Sequence, residues 1–292
     1  VRRLVRLSIV VGALAASALD SPATVETFAE SPFAGSRPSW CERYHHAHWV
    51  GGAIRFTRSA PLFHECTLEG DEKSRSCDEA GCSPCGCCAG SPCAKVGDPH
   101  GNAVLMTARD EVGPRRSISA RFAVEQRLQP VSSHLGLYAA LHPHCHTTVQ
   151  ALLVPDGPAT YHLNLAVLNE YIGGDRARYR ACLEHPFSEI SPALVGDIRL
   201  NAAEAYRWTL AVEPAGDEIA VTSSVETADG NLLAQAEYRF TVPGVRAWLG
   251  VAGGAARYGF GVQFGPLAST GTGASPEPSV VLFDVRTDTR HR

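Results

Sequence analysis

Residues 117–126 read SISARFAVEQ, and Ile118, Ala120, Phe122 and Val124 alternate there with Ser119, Arg121 and Glu125. A period of two puts one set of side chains in a core and the other in solvent, which only a β-strand does; a helix would need apolar residues three and four apart. The alternation returns at 134–141, where Leu135, Leu137, Ala139 and Leu141 oppose His134 and Tyr138. It returns again at 160–168, where Tyr161, Leu163, Leu165 and Val167 oppose His162 and Asn164. Further short runs with strand character lie at 102–109, 148–155, 196–201, 206–214, 217–227, 231–242, 247–253, 258–265 and 279–288. The segments PAGDE and ADGN between them have hairpin-turn chemistry. Many short strands with almost no helical period predict an all-β chain, an antiparallel two-sheet sandwich or jelly roll. A single Met and 27 Gly fit a turn-rich chain better than a helical bundle.

The first residues have a different character. Arg2, Arg3 and Arg6 precede an apolar run from Leu7 to Ala15, which ends in Ala16-Ser17-Ala18. That order is the layout of a secretory signal peptide over residues 1–18, and the run is shorter than the roughly 20 residues a spanning helix needs. Residues 19–44 read as an extended leader, rich in Ser, Pro and Ala. Residues 45–292 are expected to form the jelly-roll domain, with a Cys-rich insertion over 64–100. Removal of the three arginines would take the formal charge from −4 to −7. With Lys73 and Lys95 as the only lysines, nothing resembles a basic nucleic-acid surface or a polybasic membrane patch. A secreted product, extracellular or periplasmic, is expected.

Six of the ten cysteines fall within residues 77–93, as Cys77, Cys82, Cys85, Cys87, Cys88 and Cys93. Cys82-Ser-Pro-Cys85 has the spacing of half a zinc site, but a zinc ribbon needs a second, well-separated pair. An exported chain with an even cysteine count favours disulfides. The surrounding segment is polar and broken by Gly and Pro, so it reads as a disulfide-tied loop whose connectivity the spacing leaves open. Cys145 and Cys182 flank a second long excursion and are expected to pair.

The C-terminal half resembles the concanavalin A-like lectin/glucanase superfamily, in its laminin-G-like bacterial branch. The resemblance rests on the order of YRWTLAVEPAGDEIAVTSSVETADGNLL, WLGVAGGAARYGFGVQF and VVLFDVRTD, and covers roughly residues 100–290. It implies a two-sheet jelly roll with a concave, glycan-binding face, and it makes Asp284 in the closing strand a candidate ligand for a structural calcium.

Glycoside hydrolysis needs two carboxyl groups facing one another across the scissile bond. The paired-carboxylate run of the glucanases is missing, and Glu125, Glu184, Glu189 and Glu226 stand apart in the sequence. There is no G-x-S-x-G elbow and no H-E-x-x-H motif. His45, His46 and His48 form one histidine cluster, and His142, His144 and His146 form another; imidazoles suit zinc or copper, but neither cluster has an acidic partner nearby. The polar faces of the alternating strands offer Arg121, Tyr138, Gln150, His162 and Asn164. If those strands are neighbours, these residues make one patch of planar hydrogen bonders around an aromatic platform, the chemistry of sugar recognition. The expected function is a secreted lectin-like domain for cell-wall or extracellular polysaccharide. The alternatives are a polysaccharide hydrolase or lyase with an unrecognised site, or an adhesion module that binds a cell-surface protein.

Overall fold

A computed structural model describes residues 23–32, 39–43, 47–57, 102–107, 115–128, 130, 133–141, 146–157, 159–170, 187–241, 257–264 and 278–290. The described residues hold strands β1 (Thr24–Glu26), β2 (Trp40–Arg43), β3 (Ala47–Trp49), β4 (Ile54–Thr57), β5 (Asn102–Thr107), β6 (Arg115–Gln126), β7 (Ser133–Leu141) and β8 (His146–Pro155). They continue with β9 (Thr160–Glu170), β10 (Phe187–Ile190), β11 (Val195–Arg199), β12 (Ala205–Ala215), β13 (Glu218–Thr227), β14 (Leu232–Thr241), β15 (Arg257–Phe264) and β16 (Ser279–Arg290).

The strands form two antiparallel sheets in a jelly-roll sandwich, as the alternation predicts. Sheet A runs β14-β13-β12-β6-β16-β4-β3, with β1 added to β16. Sheet B runs β10-β9-β8-β7-β15-β5-β2, with β11 added to β9. Strand β6 keeps its predicted phase: Ile118, Ala120 and Phe122 are fully buried, while Ser119 and Arg121 face outward.

The sheets meet over one apolar core. Phe260 of sheet B stands at its centre, with ring centroids 5.4 Å from Phe56, 5.9 Å from Phe122 and 6.5 Å from Trp208, all of sheet A. Trp208 is fully buried, and its Nε1 donates to Ser223 Oγ at 2.9 Å. Ser223 Oγ in turn donates to the Thr209 carbonyl, so the buried indole N–H has a fixed partner.

The segment expected to be a leader belongs partly to the fold. Strand β1 pairs with β16 in sheet A, and β2 pairs with β5 in sheet B. Phe28 is fully buried against Trp40, edge to face at 6.1 Å, and its carbonyl accepts a 2.8 Å bond from Trp49 Nε1. The domain therefore starts before residue 45, because two aromatic residues of this segment plug the core. The expected signal peptide, the insertion over 64–100, and Cys77, Cys82, Cys85, Cys87, Cys88, Cys93, Cys145 and Cys182 lie outside the described residues. So do His45, His46, His142 and His144.

Candidate functional site

Four of the five expected ligand residues share one face. Cross-strand partners in an antiparallel sheet point to the same side. Tyr138 of β7 pairs with Gln150 of β8, and Gln150 pairs with Ala166 of β9. One row along, Gly136 pairs with Leu152 and Leu152 with Asn164; in the next row, Val154 pairs with His162. Tyr138, Gln150, His162 and Asn164 are thus all on the outer face of sheet B, away from the core that holds Leu137, Ala151 and Leu165.

Glycines lie side by side at the centre of this face. Gly261 of β15 pairs with Gly136, and Gly259 pairs with Tyr138. The Tyr138 ring bends back over the space left by Gly136: a Cβ on Gly136 would lie 2.5 Å from the Tyr138 hydroxyl oxygen and 2.7 Å from Cζ. Beside the ring, Leu152, Ala166 and Leu168 form a small apolar cluster with Val154 packed against it, separate from the main core. Tyr138 and Gln150 are only 8% and 7% exposed, so they belong to the floor of the site. The half-buried His134, His162 and Val154 lie nearer its rim.

Polar groups bracket the apolar cluster. Asn164 Nδ2 donates to the Ser191 carbonyl at 2.9 Å, which ties the β10–β11 junction to β9. The Asn164 Oδ1 atom is buried and has no hydrogen-bond partner among the described residues, and the same holds for Thr148 Oγ1, on a side chain with no exposed surface. Buried polar atoms are almost always satisfied, so these two oxygens stand out on this face. His162 Nδ1 stands 3.6 Å from Asp156 Oδ2 at the β8–β9 turn. Burial pushes the His134 imidazole down to about 4, so it is neutral at physiological pH. Sequence reasoning passed over Thr148 and His134 as site residues, although both are in phase with Gln150 and Tyr138.

Arg121 is elsewhere. It lies on β6 in sheet A, in register with Asp284 of β16 and Arg207 of β12, so it cannot join the Tyr138 patch on the opposite outer surface. Arg121 Nε donates to Asp284 Oδ2 at 2.5 Å, and Arg207 Nη2 stands 3.7 Å from Asp284 Oδ1. Calcium takes six to eight oxygen ligands of net negative charge. Asp284, the expected calcium ligand, is the partner of two arginines here. The described residues contain no cluster of three or more His, Cys, Asp or Glu placed to hold a metal.

Among the described residues, Glu125, Glu189 and Glu226 stand apart, and Glu184 lies outside the described residues. Glu125 on β6 accepts from Arg55 and from Ser279, Glu189 on β10 accepts from the Tyr238 hydroxyl, and Glu226 sits on β13. Strand β12 separates β6 from β13, and β10 is in the other sheet.

No protein-family model matches the chain. No curated protein matches it either. Solved structures do match. The chain is similar to lectin domains. Peanut lectin with a nine-residue peptide aligns over 92% of this chain and 97% of its own, at 9% identity and a TM-score of 0.45. A legume lectin-like domain from Entamoeba histolytica aligns over 94% and 100%, at 7% identity and a TM-score of 0.45. The VIP36 exoplasmic/lumenal domain in its Ca2+/Man3GlcNAc-bound form aligns over 87% and 85%, at 9% identity and a TM-score of 0.44. At such identities and scores the likeness carries no argument about ligand, and the site rests on this chain's own residues.

Proposed function

We propose that the chain is an exported, lectin-like domain that binds carbohydrate on the outer face of sheet B, with cell-wall or extracellular polysaccharide as its ligand. One observation carries this reading: Tyr138, Gln150, His162 and Asn164 share the outer face of sheet B, a tyrosine ring among planar hydrogen bonders, with His162 and Asn164 half-buried. A pyranose presents the complementary pattern, an apolar C–H face edged by hydroxyl donors. Ligand sites have this general make-up, mostly apolar with a few placed polar groups. Gln150 adds a carbonyl and an amide beside the ring, and neutral His134 adds one donor and one acceptor at the rim. The short basic, apolar and small-residue sequence at residues 1–18 supports export. Calcium at Asp284 has no part in this reading.

The test is a glycan and polysaccharide array probed with the native protein and with His162→Ala and Tyr138→Ala. His162 is half-buried on this face, so its removal takes away a ring that a ligand can reach. Both variants should weaken glycan binding. Retention of full binding by both variants would place the ligand elsewhere. A blank array with a folded native protein would sink the carbohydrate reading.

A further inference from the structure

The outer face of sheet A holds a second polar assembly, far from the glycine-floored face. A β-bulge in β16 inserts Phe283 between Leu282 and Asp284, where β6 advances by one residue from Phe122 to Arg121. Bulges of this kind re-aim side chains. Phe283 and Asp284 both serve Arg121: the guanidinium carbon lies 4.9 Å from the Phe283 ring centroid, and Nε is bonded to Asp284. Only Nε is used in that bond. The two terminal nitrogens of Arg121 have no hydrogen-bond partner among the described residues, and the side chain is 43% exposed. Arg207, 40% exposed, lies directly across from Arg121; it shares Asp284 and donates from Nη1 to Ser119 Oγ at 3.4 Å. Ser119 is also bonded by the Thr209 hydroxyl, so the row beside the arginines is a hydroxyl floor. Arg286 adds a third guanidinium in that row, opposite Ser119. Glu226, in register with Arg207 on the far side, forms no ion pair with it. Three guanidiniums face two carboxylates, and only Asp284 is engaged.

We infer that Arg121 and Arg207, held in place by Asp284 and Phe283, form an oxyanion site that takes a carboxylate or sulfate group carried on an acidic polymer. The guanidinium fork suits planar or tetrahedral oxyanions, and stacking on Phe283 fixes one fork before the ligand arrives. The inference does not depend on the carbohydrate site of sheet B. The chain as a whole is acidic, with a formal charge of −4, so retention of a polyanion has to come from a local cluster.

The experiment titrates the full chain with dextran sulfate, polygalacturonate and uncharged dextran at low salt, using native protein, Arg121→Gln, Arg207→Gln and Asp284→Asn. The native protein should bind at least one polyanion, and which one separates sulfate from carboxylate. Uncharged dextran should not compete at this face. Each arginine variant should weaken polyanion binding by about fivefold, and added salt should weaken it further. Asp284→Asn keeps an amide oxygen that can accept from Arg121 Nε while removing the competing negative charge, and should tighten binding. Among the described residues, the Arg207 side chain is held only by a 3.4 Å hydrogen bond and a 3.7 Å ion pair and makes no ring contact, so its variant keeps the test valid should Arg121→Gln fail to fold. Absence of polyanion binding by the native protein, or equal binding by Arg207→Gln and native protein, would overturn the site.

Discussion

The Tyr138 ring lies across Gly136, two residues earlier on the same strand, in the space a Cβ would occupy. A side chain at 136 would meet the hydroxyl oxygen and Cζ first, the far end of a movable ring. Gly136→Ala should therefore swing the ring off the floor without breaking the backbone. The expected cost in stability is modest, about 1–2 kcal/mol by analogy with mild overpacking, while glycan binding should fall as in Tyr138→Ala. A double-mutant cycle checks this. In the Tyr138→Ala background, Gly136→Ala should cost almost nothing; an unchanged cost would mean that the ring and the glycine are independent.

Ser223 holds the buried indole of Trp208. Ser223→Ala leaves the Nε1–H without its acceptor in the core, at a cost of about 1–3 kcal/mol. Urea unfolding should show a lower midpoint with an unchanged slope. Ser223→Thr, which keeps the hydroxyl, should recover part of the loss.

Phe28 tests whether the N-terminal segment is part of the domain. Its ring is fully buried, its edge contact is Trp40, and its carbonyl holds Trp49. Phe28→Ala should destabilise the fold by about 3–4 kcal/mol, and removal of residues 19–44 should cost at least as much. A truncated domain as stable as the full chain would show that β1 and β2 are dispensable.

His134 gives the fold an acid-sensitive element. Its folded value, about 4, lies below the ordinary 6.5, so between these pH values the unfolded chain binds more protons than the native one. Stability should rise with pH from about 4 to 6.5 and be fully present above that range. On acidification it should decline through the same window, by on the order of 2–3 kcal/mol in total. Melting temperature across this window, compared with that of His134→Gln, checks it; the variant should show a flatter profile.

Strands β6, β12 and β13 were legible because their burial alternates over their first eight residues. In β6 the apolar positions 118, 120 and 122 and the polar positions 119 and 121 each went to the predicted side. Tyr138, Gln150, His162 and Asn164 were also legible as a group, because β7, β8 and β9 are consecutive strands and antiparallel neighbours. Alternation tells which side chains face away from the core, but it does not say from which of the two sheets. That is why Arg121, outward like Tyr138, was grouped with it and lies on the other surface. Sheet membership comes from long-range pairing: β6 pairs with β12 and β16, more than eighty residues downstream, and short-range pattern carries no record of that choice.

The N-terminal segment shows the same division. Its Ser- and Pro-rich composition marks it as extended, and extended it is at β1 and β2, but only the packed core decides that Phe28 and Trp40 fill a hole between sheets. Asp284 is the sharpest case. The sequence by itself determined an all-β chain, the phase of its strands and an aspartate after a phenylalanine in the last of them. Only the tertiary structure decided that a bulge sets this carboxylate beside Arg121 and Arg207, where Coulomb attraction makes it an arginine partner.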